Sequence, residues 1–327
     1  MRERELSVVQ LAAEEAGVSR EVMTELALAL LGDGGWEANE RPSTRSVLNN
    51  DGSPLQACLS CSPRGIGVRL VADPGLGSVD MEARVTASLG ALERLLRRTR
   101  GRALERCCAA TIRLGIPAAG RRSELQAGAL WLAAGAGEPG AALYVTCGWG
   151  EASERWARVD AWLDAVLADG HPARRTLAAL RMHAHPVSLG IEGADGLGIR
   201  VKVYARLERL VPLARLGLAP LCDPALARFL TTVIGEAAIP AQGLLLCASF
   251  HAESGCLADV KIDLCAHCLP RAPAAWCATI TELAQALSLP LPRVLPAVAD
   301  GGVDVALLGL GVDHRGLPRL NVYLKCR

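Results

Sequence analysis

From residue 54 onward the chain repeats one pattern: two apolar, β-branched-rich runs around a short turn, then a stretch with helical spacing. Period-two alternation predicts five β-hairpins, over 54–73, 126–147, 185–206, 243–264 and 303–325. Their turns fall at Ser62-Pro63-Arg64-Gly65, 135–140, 192–198, Glu253-Ser254-Gly255 and Asp313-His314-Arg315-Gly316. Helices are predicted between them. The segment 79–98 carries Leu89, Leu92, Leu95 and Leu96 with Arg on the other face, and 151–168 carries Trp156, Val159, Trp162, Leu163 and Val166; 223–236 and 273–288 follow the same spacing. Two short amphipathic helices, 4–16 and 19–31, open the chain; Ser19 is placed to cap the second, and Gly32-Asp33-Gly34-Gly35 ends it.

The last four hairpins recur about every 60 residues, a repeat of architecture without a repeat of words. Ten antiparallel strands avoid exposed edges best by closing, so the expected fold is α+β: a ten-stranded antiparallel β-barrel of five ββ hairpins surrounded by α-helices. A barrel of that size encloses a ligand chamber. It would form a single domain over 44–327, with an N-terminal helical segment, 1–40, packed on it. Two separate α+β domains are the alternative.

Composition narrows the function. The 327 residues are 51% hydrophobic, and 35 Lys and Arg stand against 34 Asp and Glu, so the basic excess expected of a nucleic-acid or anionic-lipid binder is missing. No apolar run of about 18 residues occurs, and the charged opening MRERELSVVQLAAEEAG has no apolar signal core. A cytoplasmic protein with no membrane span is expected. Its twelve cysteines would then stay reduced. The pairs Cys58/Cys61 and Cys265/Cys268 have zinc-knuckle spacing but lie in strand-like segments, where residues three apart face opposite ways, which disfavours zinc.

The second strand of each hairpin carries the chemistry. Val68 and Leu70, Leu143 and Val145, Ile199, Val201 and Val203, Val260 and Ile262, and Leu320, Val322 and Leu324 share the apolar face. Arg69, Tyr144, Arg200, Lys202, Tyr204, Lys261, Asp263, Asn321, Tyr323 and Lys325 share the other. Polar alternates usually face water. Here the outer helices need the apolar face, which turns the polar one inward. All three tyrosines of the chain lie on it. Clustered Arg and Lys suit a multiply charged anion such as a diphosphate, and tyrosine faces stabilise a carbocation and shield it from water. No D-D-x-x-D sequence occurs to hold magnesium.

On these residues the sequence resembles the aromatic prenyltransferases with the antiparallel ββα barrel, the dimethylallyltryptophan-synthase type in particular, over about residues 44–327. Leu48-Asn49-Asn50-Asp51-Gly52-Ser53-Pro54-Leu55-Gln56 resembles the family's D-G/H-T/S-P-x-E segment, and Arg200-x-Lys202-x-Tyr204 its R-x-K-x-Y strand; Arg69 matches the first-unit arginine and Tyr323 the last-unit tyrosine. Three positions depart: Ala142-x-Tyr144 replaces K-x-Y, Lys261-x-Asp263 replaces a tyrosine-bearing pair, and Gln56 stands for the glutamate that holds the indole N–H. A glutamine still accepts a hydrogen bond but is no base.

The resemblance implies a metal-independent prenyltransferase with a prenyl diphosphate, dimethylallyl by default, as co-substrate. Arg69, Arg200, Lys202, Lys261 and Lys325 would hold the diphosphate. Tyr144, Tyr204 and Tyr323 would shield the cation. Gln56 would position an indole or tryptophan-derived acceptor, and Asp263, His251 or Asp304 would be proton acceptors. A peptide side chain or a phenol is the alternative acceptor. A non-catalytic barrel binding an anionic ligand is the alternative from another class, and a zinc-stabilised binding protein comes third. Asp263 could equally pair with a neighbouring cation, and Trp131 could line the chamber at its strand's centre or pack against a helix. His183 and His185 read as a strand-entry pair, and Arg97-Arg98-Thr99-Arg100 and Arg174-Arg175 as solvent-facing charge.

Overall fold

The computed structural model describes residues 3–32, 46–76, 80–99, 101–125, 128–136, 140–194 and 198–327. The expected helix stop at Gly32-Asp33-Gly34-Gly35, the turn tips at 135–140 and 192–198, the ends of the segments at 1–40 and 44–327, the first residues of the stretches at 79–98 and 126–147, and Arg100 fall partly or wholly outside these residues.

Helices α1 (Glu3–Ala16) and α2 (Arg20–Leu31) come first, and the Ser19 hydroxyl accepts the Val22 amide to start the second. Hairpin β1 (Leu55–Ser62) and β2 (Gly65–Ala72) follows, then α3 (Met81–Thr99) and α4 (Arg102–Gly115). After β3 (Leu130–Ala134) and β4 (Ala141–Thr146) comes α5 (Ala152–Val166), opened by a reciprocal capping box between Glu151 and Glu154. Short turns α6 (Ala173–Thr176) and α7 (Ala178–Arg181) lead to β5 (Ala184–Ala194) and β6 (Gly198–Leu207). Helix α8 (Pro224–Ile234), with Asp223 capping the Ala225 amide, precedes β7 (Leu244–His251) and β8 (Leu257–Cys265). Helices α9 (Pro273–Ala286) and α10 (Leu295–Ala299) precede β9 (Val303–Asp313) and β10 (Pro318–Cys326).

Each strand pairs antiparallel with its chain neighbours, and β1 pairs with β10 to close a ten-stranded barrel. Leu70, Leu143, Val145, Val201, Val203, Val260, Ile262, Leu320, Val322 and Leu324 point outward and are essentially unexposed beneath the helices. Burying such side chains contributes about 1.5–3 kcal/mol each, so a one-residue slip of any strand is strongly disfavoured. The second alternate of every strand is thereby committed to the lumen. No helix among the described residues is long and apolar enough to cross a membrane.

Helix α4 lies where the sequence pattern predicts no element. It has few large apolar residues, and it packs through Leu104, Cys108, Thr111 and Gly115. Thr111 accepts the Trp162 indole N–H at 2.9 Å, and a Cβ on Gly115 would stand 2.7 Å from the Val145 side chain. Small and polar contacts replace an apolar stripe.

Candidate active site

The lumen has two chambers. The smaller, about 380 Å³, is polar. Arg69 on β2, Glu192 on β5, Lys202 on β6, Asp259 and Lys261 on β8, and Arg319 and Asn321 on β10 line it. Arg69 Nη1 lies 2.5 Å from Oε1 of Glu192, and Lys202 Nζ donates to Oε2. Arg200 Nη1 donates to Asp259 Oδ2 at 2.8 Å, and Arg319 Nη2 reaches the same oxygen at 3.5 Å. Burial opposes ionisation of Glu192, but Lys202 and Arg69 hold its carboxyl well below the usual carboxylate range. With Arg64 at the rim, five basic side chains and two carboxylates, Glu192 and Asp259, line the chamber, and Arg200 and Asp263 pair with members of that lining from outside it. The chamber keeps an excess of positive charge.

Tyr144, Tyr204 and Tyr323, with Val71 and Lys261, line both chambers and form the waist between them. Tyr144 and Tyr204 meet edge to face at 5.8 Å. Lys261 Nζ stands 5.7 Å from the Tyr204 ring centre and 5.2 Å from that of Tyr323, and donates to the Tyr323 hydroxyl at 2.7 Å. Burial pushes all three phenols well up, so they stay neutral. Burial would lower Lys261, but Asp263 at 2.5 Å overrides it and raises the ammonium above its ordinary value. Gly190 makes room for this waist: a Cβ there would stand 2.9 Å from Tyr144 Cδ1 and 3.3 Å from Lys202 Cβ.

The larger chamber, about 600 Å³, is mainly apolar, and the segment 46–50 forms part of its wall. Gln56 is buried there; its Nε2 donates to Asn49 Oδ1 at 2.6 Å and to the Leu48 carbonyl at 3.2 Å, which leaves Oε1 to accept. Asp263 Oδ1 is buried and finds no hydrogen-bond partner among the described residues, and neither does Trp131 Nε1. Gly309 gives Asp263 its space, since a Cβ there would collide with Oδ1. Arg206 lines the same chamber within 4.0 Å of Cys265 Sγ and has no carboxylate partner among the described residues.

Of the ten site residues expected from sequence, Arg69, Lys202, Lys261 and the three tyrosines surround the polar chamber, and Arg200 joins it through Asp259. Lys325 does not: it pairs with Asp51 at 2.7 Å, beside Gln56 in the sheet register and away from the other cations. Gln56 and Asp263 line the larger chamber instead. His251 is exposed against His314, and Asp304 lines neither chamber. Cys58 faces the polar chamber while Cys61 faces the helices, and burial raises both thiols. No group of three His, Cys, Asp or Glu among the described residues is arranged to hold a metal ion. Trp131 lines the larger chamber rather than packing against a helix. Sequence reasoning missed Arg319, Glu192 and Asp259. Arg319 and Asp259 share the inward parity of Tyr323 and Lys261, which is the signal that would have found them.

Several solved structures share this architecture. The 5-dimethylallyltryptophan synthase from Streptomyces coelicolor is 20% identical with a TM-score of 0.81, over 98% of this chain and 96% of its own. PriB, in a ternary complex with L-tryptophan and dimethylallyl thiolodiphosphate, is 20% identical with a TM-score of 0.80, over 99% and 95%. The 6-dimethylallyltryptophan synthase from Micromonospora olivasterospora, in complex with DMASPP and Trp, is 16% identical with a TM-score of 0.79, over 99% and 96%. No protein-family model and no curated protein matches the chain. The barrel is therefore, in fold, that of the dimethylallyltryptophan synthases.

Proposed function

We propose that the protein is an aromatic prenyltransferase that moves a dimethylallyl group from its diphosphate to a ring carbon of an indole-bearing acceptor such as tryptophan. The observation that carries this reading is the tyrosine waist, which joins a cation-lined chamber to a larger, mainly apolar one. The diphosphate lies in the polar chamber. Its C1–O bond breaks with both electrons leaving on oxygen, and Arg69, Arg200, Lys202, Lys261 and Arg319 meet the developing charge. The allylic cation lies at the waist, against the faces of Tyr144, Tyr204 and Tyr323. A ring carbon of the acceptor supplies the electron pair of the new C–C bond, and the ring proton passes to the unpaired Oδ1 of Asp263.

Gln56 Oε1 accepts the indole N–H. Arg206 suits the acceptor's carboxylate, which favours tryptophan over indole or a phenol. No step calls on a divalent cation, because basic side chains supply the neutralising charge. Lys325 takes no part in holding the diphosphate. A cytoplasmic setting fits the chain's twelve free thiols.

The test is incubation with dimethylallyl diphosphate and EDTA, offering tryptophan, indole, a phenol or a tryptophan-containing peptide, with product read by mass spectrometry. A tryptophan adduct is expected, and Arg206→Met should raise KM for tryptophan while leaving that for indole unchanged. No adduct with any acceptor, from protein that binds the donor, would sink the reading and favour a barrel that only binds an anion.

A further inference from the structure

Four basic side chains at the polar chamber are held in two pairs. Arg69 from β2 and Lys202 from β6 meet on the two oxygens of Glu192. Arg200 from β6 and Arg319 from β10 meet on Oδ2 of Asp259. Each carboxylate thus bridges two cations from different strands, as a phosphoryl group does, and a diphosphate has two phosphoryl groups. Glu192 and Asp259 are only 14% and 5% exposed, and both stand on strands paired on either side, so neither can swing out to water when an anion enters.

We propose that Glu192 and Asp259 are internal counter-anions: they stand in for the two phosphoryl groups when the site is empty and compete for the same four cations when it is filled. This rests on the diphosphate reading of the chamber. In the empty barrel the carboxylates keep four like charges from repelling one another. With product diphosphate bound they become two fixed negative charges beside it, which loosens it and speeds its release. Competition outweighs positioning, because the cations are anchored by their own strands and an amide in place of either carboxylate still offers an oxygen to hold them.

The experiment is calorimetric titration of the full chain with inorganic pyrophosphate, for wild type, Glu192→Gln and Asp259→Asn, with thermal melts confirming the fold. Removing one unit charge in contact with the bound anion should tighten binding about tenfold or more. The same variants should lower KM for dimethylallyl diphosphate and lower kcat, as slower product release requires. A merely structural role predicts the opposite, weaker binding. Wild-type binding with unchanged or weakened affinity in the variants would overturn this inference alone, as would failure of both variants to fold. Failure of the wild type and every variant to bind either pyrophosphate or prenyl diphosphates would overturn the reading of the site, and this inference with it. The two bridges are separate, so either variant that folds decides the matter.

Discussion

Asp263→Asn removes one charge from the most deeply buried ion pair of the lumen while keeping the side chain's shape. Lys261 and Asp263 are 6% and 3% exposed and 2.5 Å apart. Breaking a buried pair by deleting one partner costs about 3–5 kcal/mol. Lys261 keeps the Tyr323 hydroxyl at 2.7 Å and the faces of Tyr204 and Tyr323 in both proteins, so its charge is not left without partners and the loss near neutral pH should fall at the low end of that range, about 3 kcal/mol. The pH dependence is the sharper signature. In the wild type burial works against the ammonium, but Asp263 lifts its pKa above the ordinary 10.5. The pair's stabilisation is therefore fully present below the unfolded lysine's pKa and is lost as pH rises through the folded one. In the variant burial outweighs the contacts that remain, and the folded Lys261 falls below its unfolded value. Its penalty is then present at neutral pH and is relieved as pH rises towards the unfolded pKa. Urea unfolding followed by circular dichroism across that range should show the gap between the two proteins narrowing. A gap independent of pH, or a variant as stable as wild type at neutral pH, would refute the reasoning.

Two further substitutions probe the walls of the site. Gln56→Glu, which restores the glutamate of the resembled family, should lower the melting temperature by an amount corresponding to about 1–3 kcal/mol and bring no gain in tryptophan turnover. It sets a carboxylate oxygen against Asn49 Oδ1 and the Leu48 carbonyl, and Asn49 cannot turn over without losing its own bonds to the Ser53 and Leu55 carbonyls. Gly190→Ala should cost about 1–3 kcal/mol by overpacking and lower kcat/KM as well, because its methyl pushes both the Tyr144 ring and Lys202. Unchanged melting and kinetics would mean that the waist has slack which these distances do not show.

Parity along a strand was legible in the sequence because it has a period of two and the helices outside settle which face is apolar. Depth along the barrel was not. Arg319, Tyr323 and Lys325 share parity on β10, yet they stand at the polar chamber, the waist and beside Gln56 respectively. Strand stagger and a register shift between Tyr323 and Leu324 set those depths, and both depend on neighbouring strands. Glu192 was hidden differently. Glycine-rich sequence at 190–198 reads as a turn from Glu192 onward, whereas the strand runs on to Ala194, with Gly193 and Gly198 at positive φ. The acid that bridges Arg69 and Lys202 was thereby read as loop. Asp263 was recognisable as an acid among bases; only the packing against Gly309 reveals that one oxygen has no hydrogen-bond partner among the described residues.

The central claim is that the polar chamber binds a prenyl diphosphate through its basic side chains alone. Calorimetric titration of dimethylallyl thiolodiphosphate in the presence of EDTA, for wild type and Lys202→Ala, tests it most directly. The account predicts saturable binding at one site per chain, weakened about tenfold or more in the variant. No binding with EDTA or with added Mg2+, for dimethylallyl and longer prenyl chains alike, would contradict it.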